Sequence, residues 1–236
     1  MLAARAMHTR TGEDRFEQLW RSSAATLLAR QEPDGLWTQD MYGDRLRYVG
    51  AAHGFAGNVH ALSRAREWLD DPAVVDAQAV ATARALAIVE DGLASWPSLP
   101  TGSRTGAPPR VQWCHGSPGM IICLAELGRA DERHGALLSA AGELVWHAGA
   151  VAGNVGLCHG TAGNGFAFLA LFARTGDELW LSRARAFAMH ALDQVAGLRA
   201  ADGTGRYTLF TGDIGAALLA AACIEGRPGF PGIDDL

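Results

Sequence analysis

Two cysteines, Cys114 and Cys158, each begin a Cys-His-Gly sequence, and His53 precedes a glycine in a third, related segment. Thiolates and imidazoles are good zinc ligands, and three protein ligands leave the fourth tetrahedral position open, as catalytic zinc sites do. The pattern therefore predicts a zinc site made of two cysteines and a histidine, provided that the fold brings these segments together. The alternative is that they are ordinary buried cysteines and core histidines.

The remaining cysteines, Cys123 and Cys223, lie inside apolar runs, which is typical of small core residues. Four cysteines are too few for a disulfide framework in a chain of 236 residues. The first residues, MLAARAMHTRTGEDRF, lack the apolar region of a secretory signal. We therefore expect free cysteines and a cytoplasmic location.

The cysteine and histidine segments belong to a longer repeat. Four segments contain Gly-x-x-Gly and run directly into an apolar, helix-favouring stretch. The glycine pairs are Gly54/Gly57, Gly116/Gly119, Gly160/Gly163 and Gly212/Gly215. Each pair is predicted to mark the N-terminus of an apolar helix, where glycine permits close backbone approach.

Amphipathic helices are predicted between these apolar ones, and no segment shows convincing strand alternation. Their approximate spans are 14–30, 73–91, 132–148 and 177–195. Because an apolar helix must be surrounded by protein, the simplest fold is all-α, a double-layered α/α toroid with the apolar helices inside. A plain stacked α-solenoid is the alternative, since periodicity does not establish ring closure.

We expect residues 1–236 to form a single domain. The segment 96–109 is rich in proline and glycine and is interpreted as a loop beside the central cavity. The net charge is −5 and the arginines are scattered, which argues against a nucleic-acid partner. No apolar stretch is long enough to predict a membrane span.

The motifs HGFAGN, RVQWCHGSPG, GLCHGTAGNGFAFLALF and YTLFTGDIG occur in this order. Over residues 48–235 the chain resembles the lanthionine synthetase C-like (LanC-like) family. The resemblance implies a double-layered α/α barrel with zinc at its centre. Its zinc ligands correspond to Cys114, Cys158 and His159.

The resemblance also implies a reaction, in which a zinc-activated cysteine thiol adds to dehydroalanine or dehydrobutyrine in a dehydrated precursor peptide. A dehydratase is a candidate partner. His53 corresponds to the conserved active-site histidine and is the candidate acid and base. Arg110 is a candidate for stabilising an enolate, and His115 is a third candidate catalytic residue lining the cavity.

Two departures from the family keep alternatives open. The family has more helical hairpins than this chain, so the toroid is expected to be incomplete at its N-terminus and to lack the active-site aspartate of the bacterial cyclases. Gly153 replaces the lysine of the glutathione-binding branch, which disfavours glutathione. The alternatives are a non-catalytic, zinc-stabilised protein that binds peptides or thiols, and a prenyltransferase-like zinc subunit, whose ligand set fits poorly.

Overall fold

The structure is a computed structural model that describes residues 1–41, 43–100 and 110–234. It is largely helical, as predicted. Its elements are α1 (Leu2–Thr11), α2 (Asp14–Ala29), β1 (Gln39–Met41), β2 (Asp44–Leu46), α3 (Phe55–Ser63), α4 (Pro72–Leu86), β3 (Ile88–Glu90), β4 (Leu93–Ser95), α5 (Ser117–Leu124), α6 (Glu132–Ala148), α7 (Thr161–Thr175), α8 (Glu178–Asp202) and α9 (Asp213–Glu225).

The inner layer consists of α3, α5, α7 and α9, and each of these helices contacts the next one. The first glycine of each Gly-x-x-Gly pair is the N-cap residue of its helix, as the repeat predicts: Gly54, Gly116, Gly160 and Gly212. Every residue of α5 is buried, and so are the first eleven residues of α7, from Thr161 to Leu171. These helices are therefore enclosed by protein on all sides over most of their length.

The outer layer contains α4, α6 and α8, which pack behind the inner helices: α6 contacts α5 and α7, and α8 contacts α7 and α9. Each outer helix begins at an aspartate whose side chain accepts backbone N–H groups of the first turn: Asp71, Asp131 and Asp177. Such caps satisfy donors that have no partner within the helix. The two-layered α/α arrangement of the toroid is thus confirmed.

Two short antiparallel hairpins were not predicted from the sequence. One pairs β1 with β2 and the other pairs β3 with β4. In the second hairpin the turn is Asp91-Gly92, and both residues have positive φ, 51° and 79°. Asp-Gly is a favoured sequence for such a two-residue turn. The predicted helix 73–91 was therefore too long, because α4 ends at Leu86 and the chain turns into this hairpin.

The other predicted helix boundaries agree more closely. Helix α6 matches its predicted span, and α2 ends one residue earlier than predicted. Helix α8 continues to Asp202 instead of ending at 195.

Of the predicted loop 96–109, residues 101–109 lie outside the described part of the chain. At its start, Trp96 is buried and its Nε1–H donates to the Ala83 carbonyl at 2.7 Å.

The C-terminal segment returns across the inner layer. Phe230 is buried and stacks on Trp113 with ring centroids 4.9 Å apart. Asp234 accepts a hydrogen bond from the Phe230 N–H at 2.8 Å and lies 2.7 Å from Nε2 of His60 on α3.

Within residues 1–41, 43–100 and 110–234, none of the helices combines the length and apolar character needed to cross a bilayer.

Candidate metal centre

The loop before each inner helix folds back on itself, and its glycines make that possible. A Cβ atom built on Gly54 would lie 2.1 Å from the Tyr48 carbonyl oxygen, and one on Gly116 would lie 1.7 Å from that of Arg110. In both loops the carbonyl belongs to the residue six positions earlier. No side chain fits at such distances, so glycine is required where the loop closes.

Backbone hydrogen bonds join these loops to one another at equivalent positions. The Cys158 N–H donates to the Phe210 carbonyl at 2.8 Å, and the Cys114 N–H donates to the Cys158 carbonyl at 3.1 Å. A longer contact of 3.5 Å joins the Ala52 N–H to the Cys114 carbonyl. Because all four residues stand two positions before an N-cap glycine, the repeat places Cys114 and Cys158 side by side.

Cys114, Cys158 and His159 therefore meet in one cluster. Their sulfur and imidazole nitrogen atoms all lie within 4.8 Å of one another. A tetrahedral zinc ion with ordinary bond lengths separates its ligand atoms by roughly 3.3–3.8 Å, so only a small contraction is needed to hold one. Two sulfurs and a nitrogen are also the soft donor set that zinc accepts. The residues fit a metal ion, as the sequence predicted.

The two thiols share a hydrogen bond that makes them chemically unequal. This hydrogen bond from Cys158 lowers the pKa of Cys114 to about 7, against the opposing effect of burial. The same hydrogen bond, together with burial, raises the pKa of Cys158. Cys114 therefore ionises first, and the thiolate is the form that ligates metals.

The three candidate catalytic residues lie beside this cluster. His53 is exposed, and its ring centroid is 6.1 Å from that of His115. The pKa of His115 is lowered, first by burial and then by the neighbouring charges of His53 and Arg110. Arg110 also favours the thiolate form of Cys114 by its charge. The fold thus brings His53, Arg110 and His115 to the same end of the inner layer.

Tyr48 is a neighbour of the site that we did not predict. Its ring centroid lies 5.3 Å from that of His115 and 6.1 Å from that of His53. The sequence did contain a signal for it: Tyr48 precedes Gly54 by the same six positions by which Arg110 precedes Gly116. Repeat-equivalent residues therefore flank the site from two loops.

The C-terminal segment supports the site from behind. Trp113, which precedes the candidate ligand Cys114, lies between Phe230 and Phe210, whose ring centroids are 4.9 and 5.7 Å away. The hydrogen bond of Asp234 with His60 and its ion pair with Arg64 anchor that segment to α3. The two predicted core cysteines, Cys123 and Cys223, are buried as expected.

Fold and site together define a two-layered helical protein with a Cys–Cys–His cluster where its inner helices begin. A family profile described as "Lanthionine synthetase C-like protein" matches residues 1–234. The chain belongs to the LanC-like family. The match begins further toward the N-terminus than the predicted region 48–235.

Two curated proteins are similar to this chain. LanC-like protein GCL1 of Arabidopsis thaliana is 36% identical over 149 residues, which is 61% of this chain and 32% of that protein. Glutathione S-transferase LANCL1 of Danio rerio is 35% identical over 150 residues, which is 60% of this chain and 34% of that protein. The chain thus aligns with about a third of the length of each relative.

Proposed function

We propose that the chain binds one zinc ion through Cys114, Cys158 and His159 and catalyses thioether formation in a peptide. The substrate cysteine thiol adds to the β-carbon of dehydroalanine or dehydrobutyrine. The observation that carries the proposal is the convergence of these three ligand atoms within 4.8 Å of one another, beside two further histidines and an arginine. Zinc bound there would stabilise the substrate thiol as its thiolate, the nucleophilic form.

The addition needs one proton removed and one supplied. The thiol loses its proton, a carbon–sulfur bond forms at the β-carbon, and the resulting enolate takes a proton at the α-carbon. We assign the proton transfer at the α-carbon to His53. Its side chain is exposed, and imidazole is the side chain most used for such transfers near neutral pH.

Arg110 and His115 would act on the charge that develops during the reaction. Arg110 is exposed and permanently cationic, so it is suited to stabilise the enolate oxygen or to hold the substrate. His115 has a lowered pKa, which favours the neutral imidazole, and its Nδ1 is buried without a hydrogen-bond partner among the described residues. We assign it a hydrogen bond to the substrate.

The proposed substrate, its source and the proposed location follow from the chemistry. A dehydrated precursor peptide is the proposed substrate, and a dehydratase acting on serine and threonine would supply it. We propose a cytoplasmic location, because all four cysteines are free and the ligand cysteines must stay reduced to bind zinc.

A second candidate is a non-catalytic protein that binds a thiol or peptide at the same zinc site. The same cluster could hold zinc and a bound thiol without catalysing an addition, which is all that this candidate requires. The name of the zebrafish relative, a glutathione S-transferase, suggests glutathione as the thiol. This is less favoured here, because Gly153 stands where the glutathione-binding branch carries lysine, and the chain contains no lysine at all.

The test is cyclisation of a synthetic peptide that contains one dehydroalanine and one cysteine. Because ring closure leaves the mass unchanged, the product is detected by mass spectrometry as peptide that resists thiol alkylation. We expect zinc-loaded protein to accelerate the formation of this product and zinc-stripped protein not to do so. In His53→Asn, turnover should fall by about 100-fold or more with the zinc content unchanged.

The matched control is His190→Asn, which changes an exposed histidine of α8 and should retain full turnover. If the zinc-loaded wild type does not exceed the rate without protein, the thioether-forming assignment is wrong. Binding of the same peptide without cyclisation would instead support the non-catalytic candidate.

A further inference from the structure

A cavity of about 400 Å³ lies next to the metal centre, between β1, the start of α3 and the C-terminal segment. We call it the hairpin pocket. His53 forms part of its wall, so the pocket opens onto the residue assigned to proton transfer. Ala52 and Trp113, which flank the Cys114 backbone, also line it. A ligand in this pocket would therefore contact His53 and Trp113, the residue that precedes Cys114 in the chain.

The rest of the wall is mainly apolar. Leu2, Met41 and Ile233 contribute side chains from three separate parts of the chain. Its polar lining residues are Gln39, His53, Asn58 and His60, and among the described lining residues there is no aspartate, glutamate, arginine or lysine. A cavity of this size falls within the range of small-ligand sites, and its apolar lining favours an uncharged group.

One polar atom of the pocket lacks a partner. Oε1 of Gln39 is buried and has no hydrogen-bond partner among the described residues. An amide oxygen accepts hydrogen bonds, and leaving it buried and unpaired is costly. Since Gln39 lines the pocket, a rotation of its side chain would bring this oxygen to a ligand N–H group.

We propose that the hairpin pocket binds the side chain of the residue next to the reacting cysteine in the substrate peptide, and that this side chain is apolar and uncharged. Gln39 accepts a backbone N–H of the same peptide. This inference rests on the proposed function, since it places the peptide by its thiol. It narrows the substrate class, because the basic side chains among the described lining residues are two histidines, His53 and His60, and His60 already pairs with Asp234 at 2.7 Å.

The test compares blocked dipeptides by isothermal titration of the zinc-loaded protein. N-acetyl-Cys-Leu-amide and N-acetyl-Cys-Asn-amide differ in their second side chain, which is apolar in leucine and polar but uncharged in asparagine, at similar size. We expect the leucine peptide to bind about tenfold more tightly, as burial of one apolar side chain predicts. In Met41→Asp this ratio should fall below about threefold, because a carboxylate in the wall removes the apolar surface.

A matched control and a milder variant complete the design. Met189→Asp alters a methionine of α8 that is 61% exposed and should keep the wild-type ratio. Met41→Gln should lower the ratio in the same direction as Met41→Asp while adding no charge, which guards against misfolding of the aspartate variant.

The pocket and the proposed function can fail separately. N-acetyl-Cys-amide reports thiol binding at the metal alone. If it binds but the leucine and asparagine peptides bind equally, or if both Met41 variants keep the wild-type ratio, the pocket assignment is overturned. If it does not bind while the leucine preference persists, the pocket stands and the thiol chemistry is wrong. If none of the peptides binds, both are overturned.

Discussion

The inner and outer helices begin in different ways. The outer helices start at aspartates whose own side chains accept the first N–H groups, as Asp177 does from the Leu179 N–H at 2.9 Å. The inner helices start at glycines, and in α3, α7 and α9 the first N–H group donates to the carbonyl seven residues earlier, as Phe55 does to Tyr48 at 3.0 Å. The outer start is made by one side chain, whereas the inner start is made by a whole loop.

This difference explains where chemistry is located in the fold. A loop that closes through its own backbone leaves its side chains free, and those next to the N-cap glycine face the neighbouring loops. Three candidate ligands and two more histidines occupy these positions. We therefore expect changes at inner starts to affect both stability and metal binding, and changes at outer starts to affect stability alone.

The largest effect is expected for Gly116→Ala. The new Cβ would meet the Arg110 carbonyl at 1.7 Å, and Gly116 has a φ of 112°, which L side chains rarely adopt. The loop must open, which should lower the free energy of unfolding by about 3 kcal/mol and reduce zinc content, measured by urea denaturation and metal analysis.

The control for Gly116→Ala is Gly149→Ala. Gly149 also has a positive φ, 72°, but a Cβ there would meet none of the described atoms within 4 Å. It should cost only about 1 kcal/mol and leave zinc content unchanged. Equal effects of the two substitutions would mean that loop closure is not what glycine provides at position 116.

An intermediate effect is expected for Asp234→Asn, which weakens the segment that supports the inner loops. Burial alone would raise the pKa of Asp234, but the hydrogen bond and charge of His60 hold it below its ordinary value. A depressed carboxyl pKa contributes stability above about pH 4 that is lost as the pH falls through the folded-state pKa. Near neutral pH the substitution should therefore cost about 2 kcal/mol.

Urea denaturation at pH 7 and at pH 3.5 measures this pH dependence. The stability difference between wild type and Asp234→Asn should shrink at the lower pH. Asp193→Asn, at an exposed position of α8, serves as the control and should change little at either pH. If the stability difference is the same at both pH values, the carboxylate charge of Asp234 does not contribute to the free energy of unfolding.

The smallest effect is expected for Asp177→Ala at an outer start. Loss of this cap should reduce stability by about 1 kcal/mol, and zinc content should not change. Asp177→Ser, which retains a capping oxygen, should recover most of the loss. If Asp177→Ala released zinc, the proposed separation between inner and outer starts would be wrong.

The sequence predicted the parts of the molecule that repeat. Each N-cap glycine of the inner layer was recognised from its Gly-x-x-Gly pair, and the cluster of Cys114, Cys158 and His159 followed from the equivalence of the repeats and the family resemblance. These features are local, because each loop contains the residues that close it. The Asp177 cap is local in the same sense.

Features that depend on distant contacts were missed. The hairpin β1–β2 is only three residues per strand, too short for alternation to predict it, and yet Met41 and Gln39 reach the pocket beside His53. Tyr48 could have been found from its repeat position six residues before Gly54, but its proximity to the site is seen only in the distances of its ring to those of His53 and His115. The end of α4 at Leu86 was missed for a different reason: the Asp91-Gly92 turn that follows is a local signal, and the helical periodicity was extended through it.

The most direct test of the account is zinc K-edge X-ray absorption on the purified protein. We predict about one zinc per chain with two sulfur ligands at about 2.3 Å and the remaining nitrogen or oxygen ligands at about 2.0–2.1 Å, and one sulfur fewer in Cys158→Ala. A spectrum without sulfur ligands, or a wild-type spectrum unchanged by Cys158→Ala, would contradict the proposed metal centre.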